Sequence, residues 1–257
     1  MIRNSIVAAV TVLVVGLSLP SWSRADCSYT VGDKVLSGDV FYGPDRWDWC
    51  NQSWINSQVS GFGIDGDSWK GHGGRDGCNT SKPTGRFFTG LVALEETAPM
   101  KFWPNTTKTG GNILQWGAGW AWQVIDETKV HCGRGTVALC KNCSVWDPVE
   151  WATDFEIICY VPPYFYGQNV EERASTLMHE ARHWDGKTHN RGNRDSSFGY
   201  NGAWAYEVSW LSWYAGVATP APKGLRCDAQ ALANKYISDE FKTKPDFVID
   251  VADLNDC

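Results

Sequence analysis

Hydrophobic and polar positions follow different rhythms in different stretches of this chain. Arg3 leads into a mostly apolar run from Ile6 to Leu19, followed by Pro20 and a small-x-small site at Ser23-Arg24-Ala25. The run is about 14 residues where a membrane span needs roughly 20, so residues 1–25 are expected to be a cleaved leader. From Cys27 to about Gly119 the apolar pieces are short. Turn signals such as Gly43-Pro44-Asp45, Asp65-Gly66-Asp67 and Gly71-His72-Gly73-Gly74 break them up, which predicts a β-rich, loop-rich half. Trp120 to Ile125, Thr136 to Cys140 and Phe155 to Val161 read as strands, the last closed by Pro162-Pro163.

Beyond those prolines the period changes. Val170, Ala174, Leu177, Met178 and Ala181 recur at helical spacing, and Asn169 with Glu172 resembles a capping box. Asp185-Gly186 supplies a stop, so a helix is predicted from Val170 to Trp184. Ala203 to Val217 predicts a second helix, apolar nearly all round and therefore buried. A third is expected from Asp228 to Phe241. No repeat or long linker divides residues 26–257, which reads as one α+β domain. Residues 26–130 form its β-rich, Trp- and Gly-rich part, and residues 131–257 carry the helices.

Composition narrows the class. With 257 residues, 43% hydrophobic and 20% charged, the chain is neither disordered nor fibrous. Of the 23 basic residues Arg3 and Arg24 leave with the leader, so 21 face 29 acids and the formal charge is −8. That balance argues against nucleic acid as a partner. Nine cysteines (27, 50, 78, 132, 140, 143, 159, 227 and 257) all follow the leader, and export makes disulfides their expected state, with one thiol left over. Cys140-x-x-Cys143 has no second pair to complete a zinc ribbon. Fifteen tryptophans, among them Trp47, Trp49, Trp54 and Trp69, offer either core filling or sugar-stacking platforms, and core filling is the expectation.

The chemistry concentrates in the first helix, which reads His179-Glu180-Ala181-Arg182-His183, or H-E-x-x-H. Two histidines four apart stand one turn above the other, so both imidazoles reach one tetrahedral zinc. Glu180 stands beside them to take a proton from the activated water. These residues lie opposite the Ala174, Leu177, Ala181 stripe, so one face is expected to pack while the other holds metal. Gly186 and His189 extend the pattern to H-E-x-x-H-x-x-G-x-x-H, the glycine letting the chain turn and return a third imidazole. His72 and His131, isolated from other ligands, are expected to be structural.

The extended motif resembles the zinc-binding consensus of the metzincin peptidases at His179, Glu180, His183, Gly186 and His189. The methionines are Met1, Met100 and Met178, so no methionine follows the motif to form a Met-turn. Asp195, 12 residues past His183, begins a segment similar to that of the deuterolysin-type aspzincins, as do Ile158 to Pro162 with Tyr164 and Phe165 before the helix. Glu207, 24 residues past His183, has a spacing similar to the glutamate of thermolysin-like gluzincins. The third ligand is therefore His189, with Asp195 or Glu207 as alternatives, Glu207 also being suited to hold a ligand histidine from behind.

All three resemblances imply a zincin-like catalytic half built on an active-site helix, and the turn signals and cysteines place a β-rich, disulfide-stapled N-terminal half before it. They imply an exported zinc metallopeptidase, with Zn2+ as cofactor, Glu180 as general base and a protein or peptide as substrate, an endopeptidase being expected. Tyr200, Tyr206 and Tyr214 are candidate donors to the oxyanion. Secretion to an extracellular or periplasmic space is expected, without a stable membrane anchor. The competing expectation is a Trp-rich secreted binding protein, for carbohydrate or cell-wall ligands, whose zinc is structural.

Overall fold

A computed structural model of the chain describes residues 37–44, 49–64, 69, 73, 78–97, 121, 122, 124, 125, 128–130, 138–141, 157–160, 164–218 and 221–244. Its helices are α1 (Ser37–Phe41), α2 (Gln52–Gly61), α3 (Pro83–Thr97), α4 (Tyr164–Gly167), α5 (Val170–Trp184), α6 (Ala203–Val217) and α7 (Lys223–Asp239). Its strands are β1 (Thr128–Val130), β2 (Ala138–Lys141), β3 (Ile157–Tyr160), β4 (Asp195–Ser197) and β5 (Phe241–Thr243). The class is α+β. One sheet has the order β1-β3-β2, with β3 parallel to β1 and antiparallel to β2. A second pairs β4 with β5 in parallel, Asp195 opposite Phe241.

The helical half follows its hydrophobic period closely. Helix α5 runs from Val170 to Trp184 and α6 from Ala203 to Val217, the bounds expected from the sequence. Burial of α6 is all-round, from Ala203 through Trp210 and Leu211 to Tyr214, and its serines satisfy themselves by donating back along the helix, Ser209 to Ala205 O and Ser212 to Val208 O. Helix α7 begins five residues before the expected Asp228, at Lys223, because Leu225 already belongs to the buried row with Ala229 and Ala233. No capping box forms at α5. Asn169 donates instead to Asp228 on α7, 3.5 Å away, while Glu172 accepts from the Tyr236 hydroxyl at 3.2 Å.

Helix α5 is not divided into a packed face and an open one. It is surrounded by α1, α3, α6, α7 and β2, so every residue from Val170 to Ala181 except Glu172 is buried. The far end opens, with Arg182 and His183 half-buried. Gly186 then takes φ 78°, and the reversed chain satisfies the last carbonyls: Gly186 N–H donates to His183 O at 2.9 Å and Lys187 N–H to Arg182 O at 3.2 Å.

In the N-terminal half, residues 26–130, which was expected to be β-rich, the described residues are mostly helical, with β1 at its end. Helices α1, α2 and α3 lie between Ser37 and Thr97, and the one extended pairing described there is the bridge from Ile64 to Thr128. Ile55 and Val59 fall on one side of α2, with Phe62 buried just past its end, while Phe87, Phe88, Leu91 and Leu94 make α3 a core helix, with Pro83 opening it. Trp120 to Ile125 also departs from the expected strand, since Ala121, Trp122 and Val124 are helical and Ile125 N–H donates to Ala121 O at 3.0 Å. Strands β2 and β3 fall where two of the predicted strands lie.

Both halves share one apolar core. Trp49 and Trp69 are buried in it, Trp69 donating to Thr128 O at 3.0 Å, as the core-filling reading expects. The core also encloses a charged knot that joins α1, α3 and α5. Asp39 accepts from Arg173 and from Thr89 Oγ1 at 2.7 Å, and Arg86 Nε stands 3.4 Å from its second oxygen. Arg173 also donates to Gln168 O, and Arg86 to Tyr166 O. Cys50 and Cys78 form a disulfide, and Cys227 on α7 is disulfide-bonded as well. No described helix is long and apolar enough to cross a membrane.

Candidate metal centre

Helix α5 delivers His179 and Glu180 in a buried turn and His183 one turn later, and the reversal at Gly186 brings His189 back on the loop that leads to β4. One ring nitrogen from each histidine lies within 4.8 Å of the others, making this the group among the described residues that can hold a metal ion. The ring centroids are 4.9 Å apart for His179 and His183, 5.1 Å for His179 and His189, and 4.7 Å for His183 and His189.

Each imidazole is backed through Nδ1. His183 Nδ1 meets Lys187 O at 2.8 Å, and since a carbonyl only accepts, that nitrogen carries the proton. His179 Nδ1 lies 2.8 Å from Glu207 Oε2, and His189 Nδ1 lies 3.0 Å from Asp195 Oδ1. The Lys187 carbonyl fixes the tautomer that leaves a lone pair on His183 Nε2, directed away from the backing acceptor, and Glu207 and Asp195 favour the same tautomer in His179 and His189 when ionised. The two carboxylates considered as third ligands thus sit behind imidazoles, on their outer nitrogens. A lone glutamate in the otherwise uncharged helix Ala203–Val217 is the sequence signal that points to Glu207, but it does not distinguish ligand from backer.

The backers are themselves fixed. Asp195 is fully buried, its N–H donates to Glu240 O at 3.0 Å, and β5 pairs alongside. Gly202 leaves room for it, because a Cβ there would stand 2.4 Å from Asp195 Oδ2. Glu207 Oε1 accepts from Ser175 Oγ at 3.1 Å, a contact the sequence pattern did not reveal.

Electrostatically the pocket is desolvated and short of positive charge. Burial, reinforced by the neighbouring His189, pushes the His179 pKa down to about 3, and burial with His179 beside it pushes His183 down to about 3. Burial pushes Glu180 up to about 8, with Glu207 adding to it, and Glu207 itself up to about 8. Glu180 is 4% exposed and its Oε2 has no hydrogen-bond partner among the described residues. Neutral imidazoles with free Nε2 atoms, beside an orphaned carboxylate oxygen, fit a divalent cation such as zinc.

The tyrosines expected near the oxyanion are engaged elsewhere. The Tyr200 hydroxyl donates to Thr188 O at 2.7 Å, Tyr214 pairs with Tyr42 in the core at 3.0 Å, and the Tyr206 ring lies 4.4 Å beneath the Arg182 guanidinium. His72, His131, Cys143, Asp65, Gly66, Asp67 and Trp47 lie outside the described residues, as do the leader and Cys27. Compared with protein-family models, curated proteins and solved structures, the chain gives no significant match.

Proposed function

We propose that this chain is an exported zinc-dependent metallopeptidase of zincin type, hydrolysing internal peptide bonds of a protein or peptide substrate. The observation that carries the reading is the convergence of His179, His183 and His189, each backed at Nδ1, with the buried Glu180 next to His179 on the same helix. The three Nε2 atoms would hold the ion. When bound, zinc supplies Lewis acidity toward a water and toward the scissile carbonyl.

The remaining work falls to the chain's own side chains. Glu180 takes a proton from the attacking water on its free Oε2 and returns it to the leaving amine. A bound cation would favour the ionised form of Glu180 over the neutral form that burial alone favours, as the accepting role requires. Glu207 and Asp195 keep the imidazoles in one tautomer and orientation. The Cys50–Cys78 disulfide is consistent with an oxidising, extracytoplasmic location. The burial of Trp49 and Trp69 removes two of the aromatic residues on which a sugar-binding reading would draw.

Replacing Glu180 by Gln tests the catalytic assignment. Hydrolysis of an unfolded protein substrate is expected to fall by at least about 100-fold while zinc stays bound. Unchanged hydrolysis, or no hydrolysis by a zinc-loaded wild type across varied protein substrates, contradicts it and leaves a structural zinc site in a binding protein as the better reading.

A further inference from the structure

Besides Glu207, α6 presents one aromatic residue to the metal centre. Trp204, half-buried in the first turn of α6, places its indole centroid 4.5 Å from the His179 ring at 79° and 5.8 Å from the His189 ring at 26°. Its Nε1–H donates to Asn193 O at 2.9 Å. Asn193 is at the tip of a tight reversal in which Arg191 and Arg194 exchange backbone hydrogen bonds. This is the loop that carries His189. Tyr236 of α7 also packs against the indole, with ring centroids 5.2 Å apart.

His189 needs this support more than its partners do. His179 and His183 ride on α5, whereas His189 stands on a loop whose neighbours Thr188 and Asn190 to Arg194 are all exposed. The hydrogen bond to Asp195 anchors one edge of the imidazole and leaves its tilt free. A ring stacked at 26° restrains that tilt, and the tie to Asn193 holds the loop from its far end.

We propose that Trp204 is a positioning residue of the metal centre, holding His189 and its loop in ligating geometry before an ion arrives. The inference rests on the metal centre proposed above and adds to it a residue that no ligand motif contains. Phenylalanine at this position keeps a ring against His189 but loses the N–H, and alanine loses both.

The full-length mature protein, stripped of metal, tests this with Trp204→Ala and Trp204→Phe. Zinc affinity is read by competition with a chromophoric chelator, ligand geometry by the visible absorption of the cobalt(II) form, and folding by thermal melts of the metal-free chains. Trp204→Ala is expected to weaken zinc at least about 10-fold and to change the cobalt spectrum, and Trp204→Phe to recover much of the spectrum and part of the affinity. If the alanine variant does not fold, the phenylalanine variant decides: several-fold faster zinc release, from loss of the Asn193 tie, is the expected result, and an unchanged release rate overturns the proposal. A folded Trp204→Ala variant with wild-type affinity and spectrum overturns it too, leaving the metal centre intact. A wild type that binds neither ion overturns the metal centre itself.

Discussion

Glu171 shows how much a single buried carboxyl matters in a chain so tightly packed around α5. It is fully buried, and burial pushes its pKa up to about 8 from 4.5, outweighing the lowering by its own backbone N–H and by the Asn169 side chain. Between those values the folded chain keeps a proton that the unfolded chain has released. The stability associated with the neutral acid is therefore complete below about pH 4.5 and lost as pH rises through about 8. Glu171→Gln, which is always neutral, is expected to be the more stable protein at pH 8 by about 2–4 kcal/mol and nearly equal to wild type at pH 5. Urea unfolding of both chains across that range measures the difference. An equal pH slope in the two would show that Glu171 does not titrate this way. At the metal centre the same scale explains what the sequence could not settle: whether Asp195 and Glu207 touch an ion or back an imidazole depends on side-chain placement over a few ångströms, and spacing along a chain does not resolve that.

At the scale of elements, long periodic segments were legible and short or glycine-broken ones were not. Helices α5 and α6 match their expected bounds because each has four turns of consistent pattern. The N-terminal helices were missed because turn signals such as Gly43-Pro44-Asp45, Asp65-Gly66-Asp67 and Gly71-His72-Gly73-Gly74 set the reading of the whole stretch, and Gly85 and Gly90 inside α3 weaken its intrinsic helical preference. Packing overrode that local preference, since α3 presents Phe87, Phe88, Leu91 and Leu94 to the common core. The disulfide bears on this region. Cys50 and Cys78, 28 residues apart, tie the chain before α2 to the chain before α3. Closing that loop limits the unfolded state by about 3.5 kcal/mol. The double variant Cys50→Ala/Cys78→Ala is expected to lower Tm by several degrees in calorimetry and to keep its zinc, because the two cysteines precede α2 and α3, respectively, while the three histidines stand on α5 and the loop after it. Loss of zinc at temperatures where the variant is folded would mean that the N-terminal helices position the metal centre directly.

For the whole molecule, the N-terminal helices are part of the scaffold and not an appended module. They share the core with α5 and α6, and the Asp39, Arg86 and Arg173 knot fastens α1 and α3 to the buried start of the motif helix. The motif's far end opens toward the loop of His189, so one helix is both the centre of the core and the base of the metal site. That arrangement places desolvated imidazoles and a desolvated Glu180 together, which is the chemical content of the peptidase reading. Its central claim is the ion. The most direct measurement is zinc per chain, by elemental analysis of the purified mature protein after dialysis, beside a His183→Ala variant. About one zinc per wild-type chain, lost in the variant, is the expected result. A folded wild type that retains no zinc and takes none up when it is supplied contradicts the metal centre, and the peptidase reading with it.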